Sequence, residues 1–372
     1  MQTRTLGRTG IEVSAISLGT EYLIDLPQDH VDAVIHHAIE RGINYFDLFY
    51  AQPHFRDILG RAFQGYRDRV LLTAHLGATV ESGQGAVTRD PSVAQEYVED
   101  YLRRYHTDYV DVLFLHNSDG QEDYDTVMAP GGLLDLAQKL QEQGVARAIG
   151  FSGHTVSTAR QAAESGAVDV IMFPINLAAN AVPGKREFLQ SCAVHDVALV
   201  AMKPFAGGKL LQPESNLALM SFHSGGGDME LTKEQAITPI QCLHYVLSQV
   251  GVSTIVPGCK SIDELDQALA YWAADDEARD FSQLLAAFAQ YQQGECVYCN
   301  HCLPCPSFID IGQVNRLLDT GMAAMTPAVQ AAYAALSANA DDCIQCAACE
   351  ARCPFGVPVI EKMEQATELF AS

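Results

Sequence analysis

Eight of the eleven cysteines lie in two short runs near the end of the chain, and these runs constrain the fold more than any other feature. The first run reads CVYCNHCLPCP, and the second reads CIQCAACEARCP. In the C-x2-C-x2-C-x3-C-P spacing of the second run, three thiolates bind one 4Fe–4S cluster and the fourth binds its neighbour. The sequence therefore predicts a small domain that holds two 4Fe–4S clusters.

The same spacing predicts which cysteines share a cluster. We expect one cluster on Cys296, Cys299, Cys302 and Cys353, and the other on Cys343, Cys346, Cys349 and Cys305. The first run is one residue short before its last cysteine, but that thiolate serves the other cluster, so ligation is kept. Two all-cysteine zinc sites and disulfides are the alternatives. Zinc ribbons pair CxxC motifs across a longer loop, and disulfides are rare in reducing compartments.

We expect a protein of the cytoplasm, because the sequence shows neither a signal segment nor a membrane-spanning run. Cys192, Cys242 and Cys259 are expected to be buried small hydrophobic residues. The chain has 46 acidic and 23 basic residues, which argues against binding to nucleic acid or to an anionic membrane surface. The acidic charge suits docking to a basic redox partner protein. The N-terminus lacks an apolar signal segment, and no apolar run is long enough to span a membrane.

Eight short apolar runs alternate with amphipathic stretches over most of the chain. The predicted strands are Ala15–Leu18, Tyr45–Asp47, Val70–Ala74, Val110–Leu115, Ala146–Phe151, Val168–Phe173, Ala198–Ala201 and Thr254–Val256. This alternation is typical of an α/β fold of the (β/α)8 TIM-barrel type. A doubly wound sheet is the alternative. It would normally show a Gly-rich phosphate-binding turn after its first strand, and the sequence has none there.

The barrel is expected to occupy residues 1–275, with a hairpin at Arg4–Val13 closing its bottom. A connecting helix over 276–294 then leads to a small α-rich domain over 295–372, which carries the cysteine runs.

Several segments of the barrel resemble the aldo/keto reductase family, in particular its members with a C-terminal ferredoxin-like extension. The matching segments, in family order, are RTLGRTGIEVSAISLGT, GINYFDL, RDILGRAF, TDYVDVLFLHN, GVARAIGFSGHT, AMKPFAGGKLL and IVPGCKSIDEL. The resemblance implies a TIM barrel with its site at the C-terminal ends of the strands. It also implies reduction of a small-molecule carbonyl substrate with NADPH, through an Asp, a Tyr, a Lys and a His.

This catalytic tetrad is only partly present. The resemblance places Asp47 at the Asp position and His116 at the His position, whereas Gln52 stands at the Tyr position and His75 at the Lys position. A pair of histidines can act as acid or base near neutral pH, so we expect Asp47, His75 and His116 to handle protons. Tyr50 is an alternative proton donor. The alternative for all of these residues is an inherited scaffold role without catalysis.

The residues that the resemblance implies for nicotinamide binding are also only partly present. The resemblance implies cofactor contacts at Ser152, Gly207, Gly208, Lys260 and Ser261. However, Gly153 replaces the Asn and Met172 replaces the Gln that hold the carboxamide in the family, and the acidic Glu264 replaces an Arg near the 2′-phosphate. NADP(H) is therefore a possible cofactor, and a flavin stays open because TIM barrels bind flavin through loops that leave little sequence trace.

Three functions fit these observations. The first is an iron–sulfur oxidoreductase that passes electrons between two 4Fe–4S clusters and a small carbonyl-type substrate or nicotinamide in the barrel. The second is an electron-transfer protein whose barrel has lost reductase catalysis. The third is a conventional NADPH-dependent carbonyl reductase that uses Tyr50.

Overall fold

The protein is analysed as a computed structural model that describes residues 1–211, 237–282, 284, 294, 296, 298, 300, 302–323, 325–353 and 356–371. Cys299 lies outside these residues, and so do residues 283 and 285–293 of the helix predicted over 276–294. The start of that helix is described at Asp276–Arg279.

The chain divides into two compact units. The barrel unit comprises Met1–Thr79, Val87–Phe205 and Ile237–Tyr291, and the cluster unit comprises Val80–Ala86, Ala206–Ala236 and Gln292–Ser372. The cluster unit thus includes two segments that the sequence assigned to the barrel. The limits 1–275, 276–294 and 295–372 stay a prediction.

The predicted eight-stranded barrel is confirmed. Its strands are β3 (Leu18–Gly19), β4 (Tyr45–Asp47), β5 (Leu71–Leu76), β8 (Val110–Leu115), β9 (Ala146–Ser152), β10 (Val170–Pro174), β11 (Ala198–Met202) and β12 (Val252–Val256). They pair in parallel in chain order, and the bridges Ile16–Ile255 and Gly19–Gly258 join the first strand to the last. This closed order differs from that of a doubly wound sheet.

Helices follow the strands on the outside of the barrel, as the alternation of the sequence predicts. They are Gln28–Glu40, Pro53–Ala62, Pro91–Arg104, Gln121–Met128, Leu133–Glu142, Val156–Glu164, Lys185–Val194, Pro239–Leu247 and Ile262–Leu269. Residues at their starts show why they begin there: the side chain of Asp90 accepts hydrogen bonds from the backbone N–H of Ser92 and of Val93.

A hairpin closes the N-terminal end of the barrel. Strands β1 (Thr3–Thr5) and β2 (Glu12–Ser14) pair antiparallel, and Leu6, Ile11 and Val13 pack into the barrel core. Because this end is filled with apolar side chains, polar groups that point into the barrel collect at the C-terminal ends of the strands.

The three cysteines outside the runs are buried, as predicted. Cys192, Cys242 and Cys259 are at most 1% exposed, and burial raises the pKa of each thiol to about 12. They are therefore inert core residues. Within the described part of the chain, no helix has the length and apolarity needed to cross a bilayer.

The cluster unit has its own small core. Its helices are Ile311–Ala323, Pro327–Ala334, Ala348–Arg352 and Val359–Phe370. Ile309, Val314, Leu318 and Met363 are among the buried residues of this core, and cysteines of both runs pack against it. The strands β6 (Ala78–Glu81) and β7 (Gln84–Val87) form a hairpin whose tip belongs to this unit, where the Gln84 side chain accepts a hydrogen bond from the Cys305 backbone N–H at 2.9 Å.

Candidate active site and cluster sites

Three of the predicted catalytic side chains form one hydrogen-bonded chain in the barrel. Asp47 ends β4, His75 lies near the end of β5, and His116 directly follows β8. The Asp47 Oδ1 atom is 3.0 Å from His75 Nε2, and His75 Nδ1 is 3.0 Å from His116 Nδ1. All three residues are buried. We call this chain the relay.

Hydrogen bonds with two threonines hold Asp47, the carboxylate residue of the relay, in place. The hydroxyl of Thr73, on the same strand as His75, donates to Asp47 Oδ1 at 3.0 Å and accepts from the Leu48 backbone N–H at 3.0 Å. Thr20 donates its hydroxyl to the Asp47 carbonyl at 2.8 Å. These bonds fix the carboxylate toward His75, so the relay has one orientation.

The hydrogen-bond pattern assigns the protons of the relay. Asp47 can only accept, so His75 carries a proton on Nε2. One proton is then shared between the two facing Nδ1 atoms. When it lies on His116, the Nε2 of His116 is a bare acceptor. When the relay takes up one further proton, His75 carries a proton on both ring nitrogens beside Asp47, and His116 carries its proton on Nε2 as a donor.

The electrostatics keep His116 neutral. Burial lowers the pKa of His116 well below the ordinary histidine value, and the neighbouring His75 and Arg89 lower it further. The guanidinium of Arg89 donates to the backbone carbonyl of His116 at 2.8 Å. His116 therefore disfavours the imidazolium form.

The lowered pKa of His116 predicts that the protein loses stability in mild acid. Below about pH 6.5 the unfolded state takes up the histidine proton and the native state does not. The free energy of unfolding should therefore fall by up to about 1.4 kcal/mol per pH unit, whereas above this pH the term vanishes. Thermal unfolding followed by circular dichroism between about pH 5.5 and about pH 7.5 measures the slope.

The variants that test this prediction are His116→Gln and, as a control, His54→Gln. His54 has a side chain that is 57% exposed. His116→Gln should flatten the slope in part, because burial also lowers the pKa of His154, which remains. His54→Gln should leave the slope unchanged. Equal slopes in the wild type and in His116→Gln would contradict the prediction.

Two phenylalanine rings pack on the relay. The ring centre of Phe114 lies 5.0 Å from that of His75. The ring centre of Phe49 lies 6.1 Å from that of His75 and 6.5 Å from that of His116. The ring of Tyr50, the alternative proton donor, stacks on Phe49 at 4.2 Å and meets Phe55 edge-on. The structure thus brings Asp47, His75 and His116 together. Phe49 contacts the ring of Tyr50 as well as both imidazole rings.

Two buried oxygens near the strand ends lack hydrogen-bond partners within the described residues. Gln52, at the position of the family tyrosine, is 8% exposed, and its side-chain oxygen has no partner. The same holds for the hydroxyl of Ser118, two residues after His116. Buried polar atoms are normally satisfied, so these atoms are candidates for contact with a bound molecule.

A second histidine–carboxylate pair lies beside the relay, and the sequence analysis missed it. His154 Nδ1 is 3.2 Å from Asp119 Oδ2, and Asp119 also accepts from the Thr155 backbone N–H at 3.2 Å. Both residues follow strand ends, Asp119 after β8 and His154 after β9. His154 lies within electrostatic range of His116, whose pKa it helps to lower. The position of both residues just beyond strand ends was the available signal.

Gly153 leaves room for this pair. A Cβ atom at Gly153 would lie 3.1 Å from Asp119 Oδ1 and 3.1 Å from the ring of Phe151. A larger residue would therefore require Asp119 or Phe151 to shift by a few tenths of an ångström.

The residues present do not fit a nicotinamide carboxamide bound in the family manner. The Ser152 hydroxyl accepts from the Asn117 backbone N–H at 3.2 Å and points to the Leu115 carbonyl at 3.5 Å. Gly153 offers no side chain. Met172 is buried in the barrel core and presents a thioether, which is a weak acceptor. Residues 153 and 172 therefore lack the amide groups that the resemblance implies, whereas Ser152 keeps its hydroxyl.

The residues predicted to hold the adenosine phosphate already form contacts with neighbouring residues of the chain. Ser261 caps the helix Ile262–Leu269 by accepting from the Glu264 backbone N–H at 3.2 Å. The carboxylate of Glu264 accepts from the Lys260 backbone N–H at 2.8 Å and lies 3.7 Å from the Lys260 ammonium. The charge of Lys260 is thus already partly compensated.

The predicted pyrophosphate loop belongs to the cluster unit. Gly207 and Gly208 adopt left-handed conformations, with φ of 70° and 90°. The next residue, Lys209, forms an ion pair with Asp319 at 2.8 Å and lies 5.0 Å from the ring centre of Tyr298. This lysine therefore contacts residues beside the first cysteine run instead of presenting its charge to a phosphate.

Four cysteines from both runs line a single cavity in the cluster unit. They are Cys305, Cys343, Cys346 and Cys349, which is the predicted ligand set of the second cluster. We call this the second cysteine site. Apolar side chains, among them Ile309, Ile311 and Met363, complete the wall. A thiolate-lined cavity with apolar walls suits an iron–sulfur cluster, whose potential depends on exposure and on hydrogen bonds to sulfur.

The first predicted set, Cys296, Cys299, Cys302 and Cys353, is described except for Cys299. Burial raises the pKa of the Cys296 thiol, and Cys353 is one of the groups that add to this, so these two thiols lie within electrostatic range. Arg352 donates to the Cys302 carbonyl at 2.7 Å and thereby joins the two runs.

The two runs share one backbone pattern. Tyr298 and Asn300 in the first run, and Gln345 and Ala347 in the second, adopt left-handed conformations with φ between 53° and 60°. Each pair stands two and four residues after the first cysteine of its run. Successive turns of this kind turn backbone N–H groups toward an anion. In the first run the Tyr298 N–H lies 3.4 Å from Cys296 Sγ.

Two family models match the sequence. The model of the aldo/keto reductase family matches residues 15–287, and the model of a 4Fe-4S dicluster domain matches residues 295–358. The first covers more than half of the chain and spans the barrel strands with the relay. The second spans both cysteine runs.

Similar proteins agree with the first match. The uncharacterized oxidoreductase YqkF of Bacillus subtilis (strain 168) is 26% identical over 282 residues, which are 71% of this chain and 89% of that protein. The L-galactose dehydrogenase of Arabidopsis thaliana is 24% identical over 288 residues, which are 73% and 88%. The holo form of the aldo-keto reductase AKR11C1 from Bacillus halodurans shares the fold, with a TM-score of 0.63, 23% identity, and coverage of 78% of this chain and 98% of that one.

Proposed function

The chain belongs to the aldo/keto reductase family and carries a 4Fe-4S dicluster domain, and from this premise we propose that it passes electrons between two 4Fe–4S clusters and a small carbonyl-type substrate in the barrel. The observation that carries the proposal is the relay. In place of the Tyr and Lys of the family, Asp47, His75 and His116 form a buried hydrogen-bonded chain that can hold one extra proton.

We assign the proton exchange with the substrate to His116 Nε2. A proton that arrives there releases the Nδ1 proton to His75, where the carboxylate of Asp47 stabilises the cation. Running the same steps backward delivers a proton to a carbonyl oxygen. His116 stays neutral in both resting states of the relay, which agrees with its lowered pKa.

Further groups of this chain support the same reaction. Reduction of a carbonyl to an alcohol consumes two electrons and two protons, so a second proton-exchanging group is needed besides the relay. We assign this role to the His154–Asp119 pair. The unpartnered side-chain oxygen of Gln52 is an acceptor for a hydroxyl or amide of the substrate.

Electrons need a source other than a nicotinamide bound in the family manner, because the amide side chains expected at residues 153 and 172 are absent. The eight cysteines of the two runs are the ligands that we assign to the clusters. When bound, 4Fe–4S clusters supply one-electron transfer, typically at low potential.

The experiment that tests the proposal is an anaerobic titration of the purified protein with dithionite, NADPH and NADH in turn, followed by visible absorbance. Dithionite should bleach the cluster absorbance, whereas neither nicotinamide should bleach it or bind saturably. Reduced methyl viologen then serves as the electron donor. With it, the protein should reduce at least one member of a panel of aldehydes, ketones and quinones.

Each component of the proposal has its own opposing result. Saturable NADPH binding with hydride transfer to a carbonyl would favour the conventional reductase that uses Tyr50. Reversible cluster reduction without turnover of any tested carbonyl would favour an electron-transfer protein with an inactive barrel. An anaerobic preparation that contains no iron and no sulfide would show that the protein does not bind the clusters.

A further inference from the structure

The second cysteine site lies close to the surface of the cluster unit. Residues 344–347, the loop between its cysteines, are all exposed, including Cys346. Ile344, at the start of this loop, is a large apolar side chain that is 65% exposed.

A shallow depression adjoins this site. It shares Cys343, Gln345, Ile360 and Met363 with the cysteine cavity, so one layer of side chains separates the two. The rim of the depression carries three carboxylates, and its lining contains no lysine or arginine. They belong to Asp341, Glu364 and Glu368.

The acidic rim is arranged around the exposed loop. Glu364 and Glu368 stand one turn apart on the helix Val359–Phe370, so they project from the same face. Glu364 accepts a hydrogen bond from the Gln345 side chain at 3.0 Å, which ties the rim to the loop that carries Cys346. We call the surface formed by Asp341, Ile344, Gln345, Glu364 and Glu368 the acidic face.

The surroundings of the first cysteine run have the opposite charge. Lys209 and Arg316 flank the ring of Tyr298, at 5.0 and 4.6 Å from its centre, and Lys362 lies 3.7 Å from Asp319. Among the residues that the structure describes there, three cations thus accompany one carboxylate. Arg352 lines the cavity of the second site, but the lining of the adjoining depression has carboxylates and no cation, so a partner that recognises negative charge would select the depression.

We propose that the acidic face is the docking surface for a basic one-electron carrier protein. The proposal rests on the function proposed above and names the partner that exchanges electrons with the second cysteine site. An exposed apolar residue such as Ile344 beside a group of like charges suits a transient interface, in which charge steers the encounter. In each exchange the carrier loses one electron and the cluster gains it, or the reverse, and no proton or bond is transferred.

The test uses the intact holoprotein under anaerobic conditions and cytochrome c, a small basic haem protein, as the probe. Binding to the oxidised protein is measured by isothermal titration calorimetry at low and high salt. The rate at which the dithionite-reduced protein reduces ferric cytochrome c is measured by stopped flow. Both affinity and rate should fall as salt rises, because screening weakens the attraction.

The double variant Glu364→Lys with Glu368→Lys should lower both affinity and rate by about tenfold or more at low salt. The matched control, Glu96→Lys with Glu99→Lys on the helix Pro91–Arg104, changes the net charge equally on two exposed residues of the barrel unit and should change both by less than about twofold. Ile344→Ser should weaken binding at high salt, where the apolar contact dominates. Equal effects of the two double variants would overturn the proposal.

Failure of docking can be told from failure of the proposed function. Iron and sulfide content and the extent of reduction by dithionite should be the same in all variants, and the small anionic oxidant ferricyanide should oxidise the reduced protein no more slowly in the Glu364/Glu368 variant. If cytochrome c binds without any salt dependence while the clusters are intact, the docking proposal fails and the proposed function stands.

Discussion

Cys349→Ala is expected to lower the iron content of the anaerobically purified protein from about eight to about four atoms per chain. Cys349 lines the second cysteine site and is the most buried of its thiols. Alanine offers no ligand, and the apolar wall behind it offers no substitute. Iron and acid-labile sulfide assays measure the loss, and electron paramagnetic resonance of the reduced protein should show one isolated cluster instead of two interacting ones.

The fourth cysteine of each run is predicted to bind the cluster of the other run, and substituting these cysteines tests the prediction most directly. Cys305→Ala, although it changes the first run, should remove the same cluster as Cys349→Ala, because Cys305 lines the same cavity. Cys353→Ala should instead remove the other cluster and leave a different residual spectrum. Cys192→Ala, a buried thiol of the barrel, is the control and should keep about eight iron atoms. Identical residual spectra in Cys305→Ala and Cys353→Ala would contradict the assignment.

The sequence predicted the barrel well because its strands are buried on both faces. The run Val110–Leu115 is apolar apart from one aspartate and is entirely buried, so its limits could be read without knowledge of the fold. The cysteine runs were equally readable, since the order of ligands in a cluster site is set by local spacing. In both cases the information lies within about ten consecutive residues.

Contacts between distant segments could not be read in this way. Asp119 and His154 are 35 residues apart and meet only because β8 and β9 are neighbours in the sheet and because Gly153 leaves room. Lys209 stands in a segment that resembles a phosphate-binding loop, and only the fold shows that its partner is Asp319. The role of such residues depends on which side chain lies opposite, and spacing along the chain does not contain that information.

The relay variants His116→Ala and Asp47→Asn are expected to lower carbonyl turnover by ~10²–10⁴-fold, the usual contribution of a positioned acid–base group. His116→Ala removes the atom that we assign to proton exchange with the substrate. Asp47→Asn keeps the shape of the carboxylate but removes the charge that stabilises an imidazolium on His75, so the relay loses its proton reservoir. Turnover is measured with methyl viologen as the electron donor and the best carbonyl of the panel.

Two comparisons separate proton transfer from structural damage in these variants. Cluster content and reduction by dithionite should equal those of the wild type, because the cysteines lie in the cluster unit and the relay in the barrel unit. Tyr50→Phe should keep most of the turnover, since it removes only the hydroxyl of a ring that stacks on Phe49. If Tyr50→Phe abolished turnover while His116→Ala retained it, the proton would pass through Tyr50, and the histidines would be scaffold. Retained turnover in both would place the acid–base group elsewhere, with the His154–Asp119 pair as the next group to test, since it too lies just beyond the strand ends.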